Sequence, residues 1–239
     1  MNKDTKLFIL MVILILFFLV VGNYIYRYST MKKISLEDVY LKDKKPNYTI
    51  LIEVDMKRLT LIDNENETIL KTYPIATGKP SSPTPLGTFK IVEKAKWGEG
   101  FGTRWMGINV PWGKYGIHGT NKPGSIGANL SAGCVRMRNQ DVEELYSMVK
   151  HNTIVTISNG LYGPFGQGFR ELRPGDRGAD VLEVQKRLEQ KGYYEGALDG
   201  IYGEGMKKSL ITFLKDNNLE ITDKISTKIF NSLDIFLME

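Results

Sequence analysis

Residues 49–54, 58–62 and 68–77 form three short runs of strand-like sequence, TILIEV, RLTLI and TILKTYPIAT, and this pattern constrains the fold more than any other feature. Alternation with a period of two puts every second side chain on one face, as a half-buried strand requires and a helix does not. Asp55-Met56-Lys57 and Asp63-Asn64-Glu65-Asn66 separate the runs. Such short turns join consecutive strands only antiparallel, so a meander is predicted. Further strands are predicted at residues 87–92, behind a loop stiffened by Pro80, Pro83 and Pro85, and at residues 153–157. One helix lies between them, with Asn139 as its cap, Val142, Leu145, Tyr146 and Val149 at helical spacing, and Glu143 and Glu144 near the positive end of its dipole. Residues 47–159 therefore read as a mostly β domain with one helix.

Residues 160–170 contain Gly160, Gly163, Pro164, Gly166 and Gly168 and read as a linker. Beyond them the period changes. Val181, Val184, Gln185 and Leu188 share one helical face, Leu210, Phe213 and Leu214 mark a second helix, and Ile225, Ile229, Phe230 and Leu233 a third. Residues 171–237 thus form a small all-α, three-helix domain, whose modest core suits a binding module better than a second enzyme.

Of the 239 residues, 42% are hydrophobic and 25% charged, which excludes general disorder. The net charge is +5, but the lysines are scattered and no basic helix appears, so no nucleic-acid partner is expected. A lone cysteine rules out an internal disulfide. Residues 7–26 carry no charge and end in Asn23-Tyr24-Ile25-Tyr26, followed by Arg27, without the small residues of a cleavage site. As a helix this run is roughly 30 Å long, one bilayer crossing. We expect a single-pass transmembrane anchor, with residues 1–6 as a cytoplasmic tail and 27–46 as a lysine-rich stalk. Lys3 and Lys6 on one side are matched by Arg27, Lys32 and Lys33 on the other, so the basic residues leave the orientation undecided.

The chemistry-bearing residues are scarce. His118 stands in Ile117-His118-Gly119-Thr120, and Cys134, sixteen residues on, in Ser131-Ala132-Gly133-Cys134-Val135-Arg136. If the fold brings them together, His118 takes the thiol proton and the pair lowers the thiol pKa. Gly133 allows close approach of a substrate, and the Gly133 and Cys134 amides form a candidate oxyanion hole. Arg136 in extended chain points to the side of Cys134, where it can hold a carboxylate or steady the loop. Composition alone favours a buried thiol and a turn histidine, the usual fate of such lone residues. No HxH or CxxC spacing supports a metal site.

At these positions the sequence resembles the L,D-transpeptidase catalytic domain, also called the YkuD-type domain. The resemblance rests on His118-Gly119, on Ser131-Ala132-Gly133-Cys134-Val135-Arg136, on Thr84-Pro85-Leu86-Gly87-Thr88-Phe89 and on Tyr73-Pro74-Ile75-Ala76-Thr77-Gly78-Lys79. Ala132 stands where several members have a second histidine. The tail resembles the three-helix peptidoglycan-binding domain through Leu172-Arg173-Pro174-Gly175-Asp176-Arg177-Gly178 and Asp199-Gly200-Ile201-Tyr202-Gly203, and departs from it at Met206 and Leu214.

The resemblance implies a β-sandwich catalytic domain in which Cys134 is the nucleophile and His118 the base, with the Gly119 carbonyl orienting His118 and Gly133 contributing to the oxyanion site. Arg136, Ser131 and Thr120 are the expected substrate contacts. It implies acyl transfer between peptidoglycan stem peptides, with release of D-alanine from a tetrapeptide, a thioester intermediate, 3-3 cross-links, and no metal or cofactor. Such a substrate lies outside the membrane, so both domains are expected to face the wall. An L,D-carboxypeptidase at the same site and a non-catalytic wall-binding scaffold are the alternatives.

Overall fold

The computed structural model describes Asn2, Met11, residues 14–29 and residues 47–237. Residues 14–29 are helical, and among the described residues no helix is long and apolar enough to cross a membrane. The expected span 7–26 lies partly outside the described residues, and the stalk almost wholly.

The meander forms as expected from β1 (Tyr48–Glu53), β2 (Arg58–Asp63) and β3 (Thr68–Pro74), all antiparallel. Ile50 and Ile52 of β1 and Leu59 and Leu61 of β2 are fully buried. Each such side chain contributes about 1.5–3 kcal/mol by leaving water. The run 68–77 is not one strand. It breaks after Pro74, which has no N–H to donate to a ladder, and the chain leaves the meander. Ala76 then exchanges two 2.9 Å backbone hydrogen bonds with Arg136, and β4 (Thr77–Gly78) pairs with β8 (Asn129–Ser131) in a separate two-stranded sheet.

The remaining strands are β5 (Gly87–Ala95), β6 (Trp105–Ile108), β7 (Tyr115–His118), β9 (Val135–Arg136) and β10 (Ile154–Ser158). They complete an eight-stranded mixed sheet in the order β3-β2-β1-β10-β5-β6-β7-β9. The expected sandwich is thus corrected to one curled sheet with a small second one. Nine-residue β5 belongs to both wings, and a register shift between Ile91 and Glu93 lets it bend. Ile50 of one wing and Ile117 of the other consequently share one core. Strand β10 enters parallel to β1, between it and β5.

Helix α1 (Asn139–Met148) buries Val142 and Leu145, but Asn139 does not cap it. The cap residue is Arg138, and Asn139 Oδ1 instead accepts the Thr103 N–H at 3.3 Å, tying down the loop between β5 and β6.

In the tail, α2 (Ala179–Gln190), α3 (Glu204–Asp216) and α4 (Thr227–Ser232) bury the expected faces in a second core. Gln185, fully buried, is satisfied by giving hydrogen bonds to Asp199 Oδ1 (2.8 Å) and the Ile201 carbonyl (3.0 Å) and accepting one from Gly200 N–H (2.8 Å). The glycine-rich connection is a packed strap. Phe169 stacks on Phe230 at 4.3 Å, and Phe165 meets both rings edge-on. Ala179 even joins the core of the β domain, so the two cores are docked together.

Candidate active site

Strand β7 pairs in parallel with β9, which sets His118 directly opposite Arg136 and Ile117 opposite Val135. Cys134 precedes β9 by one residue, so the sixteen-residue separation is closed by neighbouring strands. Arg136 is thus the neighbour of His118 across the strands and of Cys134 along the chain, which brings the three residues together at one end of β7 and β9. Among the described residues, Arg136 Nε is buried with no hydrogen-bond partner.

His118 is 3% exposed, and its Nδ1 lies 2.5 Å from the Gly119 carbonyl oxygen. That acceptor assigns the proton to Nδ1 and leaves the Nε2 lone pair to take another. Aromatic rings account for the burial. Phe101 meets the imidazole edge-on at 5.1 Å, Trp105 lies 5.8 Å away, and Trp97 stacks on Trp105 at 4.8 Å. Phe101 and Trp97 belong to the loop that Asn139 anchors, so that side chain acts on the site from a distance.

The loop before the thiol is held by Ser131. Its Oγ donates to the Cys134 carbonyl at 2.6 Å and accepts the Gly133 N–H at 3.0 Å. Ser131 is 1% exposed, so it shapes the loop from beneath and does not face a substrate. The same bond engages the Gly133 amide, so of the two amides proposed for an oxyanion hole only that of Cys134 remains. Gly133 has φ of +111°, and a Cβ there would fall 2.6 Å from Tyr115 Cε1, so glycine is required. Thr120, 4% exposed, accepts the Lys122 N–H at 3.1 Å and forms a turn. Of the three expected substrate contacts, Ser131 and Thr120 are buried and Arg136 alone is partly exposed.

The expected depression of the thiol pKa is reversed. Burial pushes Cys134 above the ordinary thiol value, while a hydrogen bond from the Gly116 backbone and the charge of Arg136 pull the other way. Burial likewise takes His118 below the usual imidazole value, against the Gly119 carbonyl, which favours the protonated ring. At neutral pH the pair rests as thiol and neutral imidazole, not as an ion pair.

Tyr115, Gly116, Phe101 and Asn139 were missed as site residues. Only their tertiary neighbours mark them, because none belongs to a local motif with the thiol.

A neutral imidazole oriented by a backbone carbonyl, beside a lone thiol and under one arginine, defines a thiol–imidazole site on a mostly β domain. Residues 47–157 match the L,D-transpeptidase catalytic domain (YkuD), and residues 177–233 match the "Putative peptidoglycan binding domain". The "Putative L,D-transpeptidase YkuD" of Bacillus subtilis is 46% identical over 112 residues, which cover 46% of this chain and 66% of that protein. The "Putative L,D-transpeptidase YqjB" of the same organism is 34% identical over 128 residues, covering 47% of this chain and 71% of that one. A solved L,D-transpeptidase from Mycobacterium smegmatis aligns at 24% identity and a TM-score of 0.41, over 47% of this chain and 59% of its own. The chain belongs to the L,D-transpeptidase family.

Proposed function

We propose that the chain is an L,D-transpeptidase acting on peptidoglycan stem tetrapeptides, with Cys134 as nucleophile and His118 as base. The observation that carries this reading is the shared site of the two groups, with Nδ1 of His118 held by Gly119. Cys134 Sγ attacks the carbonyl between the third residue and D-alanine while its proton passes to Nε2. The oxyanion forms beside the Cys134 amide, and the Arg136 guanidinium, opposite His118 in the sheet, offers its charge to a substrate carboxylate. Collapse breaks the C–N bond, and the imidazolium returns its proton to the departing amine of D-alanine. The side-chain amine of a second stem then attacks the thioester, losing a proton to His118, and the sulfur leaves as thiol. Gly119 fills the orienting role that a carboxylate has in other triads. The C-terminal domain would hold the glycan wall. We propose that residues 7–26 anchor the chain in the cell membrane with both domains outside.

The test is incubation of the whole chain, in detergent micelles, with defined tetrapeptides, followed by mass analysis. D-alanine release, an acyl adduct on Cys134 and cross-linked dimers are expected. Tripeptides without dimers would show that water resolves the thioester, and absence of both release and adduct would refute the enzyme. In cells the chain should remain in the membrane fraction after carbonate washing; its release would refute the anchor.

The resting protonation states predict the pH dependence. Because burial holds the His118 pKa below its ordinary 6.5, the base stays free as pH falls through 6.5, and thiol acylation by a tetrapeptide should lose half its rate only at a lower pH. An acid-limb midpoint above 6.5 would contradict this. Stability has the matching sign: the unfolded imidazole takes a proton first, so the native state weakens as pH drops below 6.5.

A further inference from the structure

A cavity of about 930 Å³ lies where the two domains meet. One wall is the loop around Lys79 and Pro83, with Trp112 and Tyr115; the other comes from the C-terminal domain at Arg170, Arg177 and Asp180. Neither Cys134 nor His118 lines it. It nevertheless ends one residue from the thiol, because a Cβ on Gly133 would lie 2.6 Å from Tyr115 Cε1 and 3.2 Å from the Pro83 carbonyl oxygen. The Tyr115 ring lies against the Gly133 backbone beside the thiol and lines the cavity together with Arg177. Tyr115 therefore spans the distance from the nucleophile to the other domain.

The two walls do not slide freely. Arg177 donates to the Trp112 carbonyl at 3.4 Å, and the Trp112 ring lies so close to Gly200 that a Cβ there would fall 2.5 Å from it. Charge is distributed unevenly. Asp176 and Asp180 are both engaged by Arg170, at 3.4 and 2.6 Å. Among the described residues, Arg177 and Lys79 have no carboxylate partner, and both border the cavity.

We infer that this interdomain cleft is a subsite for the carboxylates of a peptidoglycan stem peptide whose reacting end lies at Cys134, with Arg177 of the C-terminal domain and Lys79 of the catalytic domain as the cationic partners. The inference rests on the function proposed above. It gives the C-terminal domain a part in substrate recognition at the reaction site, separate from any hold on the glycan. A guanidinium and an ammonium on facing walls match the spaced carboxylates of a stem peptide.

The test uses the whole chain in detergent micelles and compares wild type with Arg177→Ala, Arg177→Lys and Lys79→Ala, with Lys224→Ala on an exposed part of the C-terminal domain as control. KM is measured separately for a donor tetrapeptide and for an amine-bearing acceptor stem, each also with its carboxylates amidated. Loss of one charge-assisted bond corresponds to roughly a ten- to hundred-fold change. We expect a KM rise of that order for donor or acceptor in both alanine variants, little change in kcat, partial recovery in Arg177→Lys, and no effect with the amidated peptide. The arm in which KM rises identifies which stem occupies the cleft. KM values within twofold of wild type in both arms would overturn the inference while leaving the transpeptidase reading intact. If wild type shows no turnover, the transpeptidase reading fails, and calorimetric binding of the tetrapeptide to Cys134→Ala chains with and without Arg177→Ala decides the cleft alone: weaker binding without Arg177 supports it, and equal binding overturns it.

Discussion

Cys134→Ala is expected to abolish D-alanine release, with a rate loss of about 10⁴-fold or more, because covalent catalysis has no second thiol to use. The fold should survive. Cys134 is half-buried and disulfide-free, and the loop around it is held by Ser131 Oγ through backbone atoms that the substitution leaves in place. Release of D-alanine by the variant and mass analysis of its position 134 are the measurements, with thermal unfolding as the control for folding. Release at even a hundredth of the wild-type rate would remove Cys134 from the mechanism. In cells the same variant separates an enzyme from a wall-binding scaffold, since a scaffold keeps its effect without the thiol.

Gly102→Ala, a substitution in the loop between β5 and β6, is expected to cost about a hundred-fold in thiol acylation. Gly102 has φ of +62°, and a Cβ there would lie 2.2 Å from Asn139 Oδ1, 2.5 Å from the Gly119 carbonyl carbon and 2.5 Å from Thr120 N. Two of these are backbone atoms that cannot rotate away. The strain must displace either the Phe101 loop or the Gly119 carbonyl, and that carbonyl holds His118 Nδ1 at 2.5 Å. Either movement spoils the imidazole orientation. A stability loss of about 1–3 kcal/mol should accompany it. The decisive reading is the acylation rate under conditions where circular dichroism shows the variant folded. Wild-type acylation there would mean that the Gly102–Gly119 contact does not position the base.

Much of the fold was legible because short-range periodicity carries it. The strand-like runs in residues 49–62 predict β1 and β2, whose Ile50, Ile52, Leu59 and Leu61 are fully enclosed. The apolar faces of the three tail helices were equally readable. Local pattern was silent about pairing between distant segments. Nothing in Ile154–Ser158 announces that it enters between β1 and β5, and nothing in the run 68–77 requires it to divide between two sheets. The glycines of residues 160–170 suggested a free linker because composition records backbone freedom and not the stacking of Phe169 on Phe230 that removes it.

The site divides along the same line. The participants could be named from the residues alone, one thiol, a histidine followed by glycine, and an arginine two residues beyond the thiol, since those identities are local facts and their motif is compact. What each of them does depends on the folded arrangement. It turned Ser131 and Thr120 from substrate contacts into loop supports, engaged the Gly133 amide, recruited Tyr115 and Asn139, and raised the thiol pKa where a pairwise argument lowers it. The physical reason is that burial and hydrogen-bond partners depend on which strands lie side by side, and no residue carries that information in its own neighbourhood of the chain.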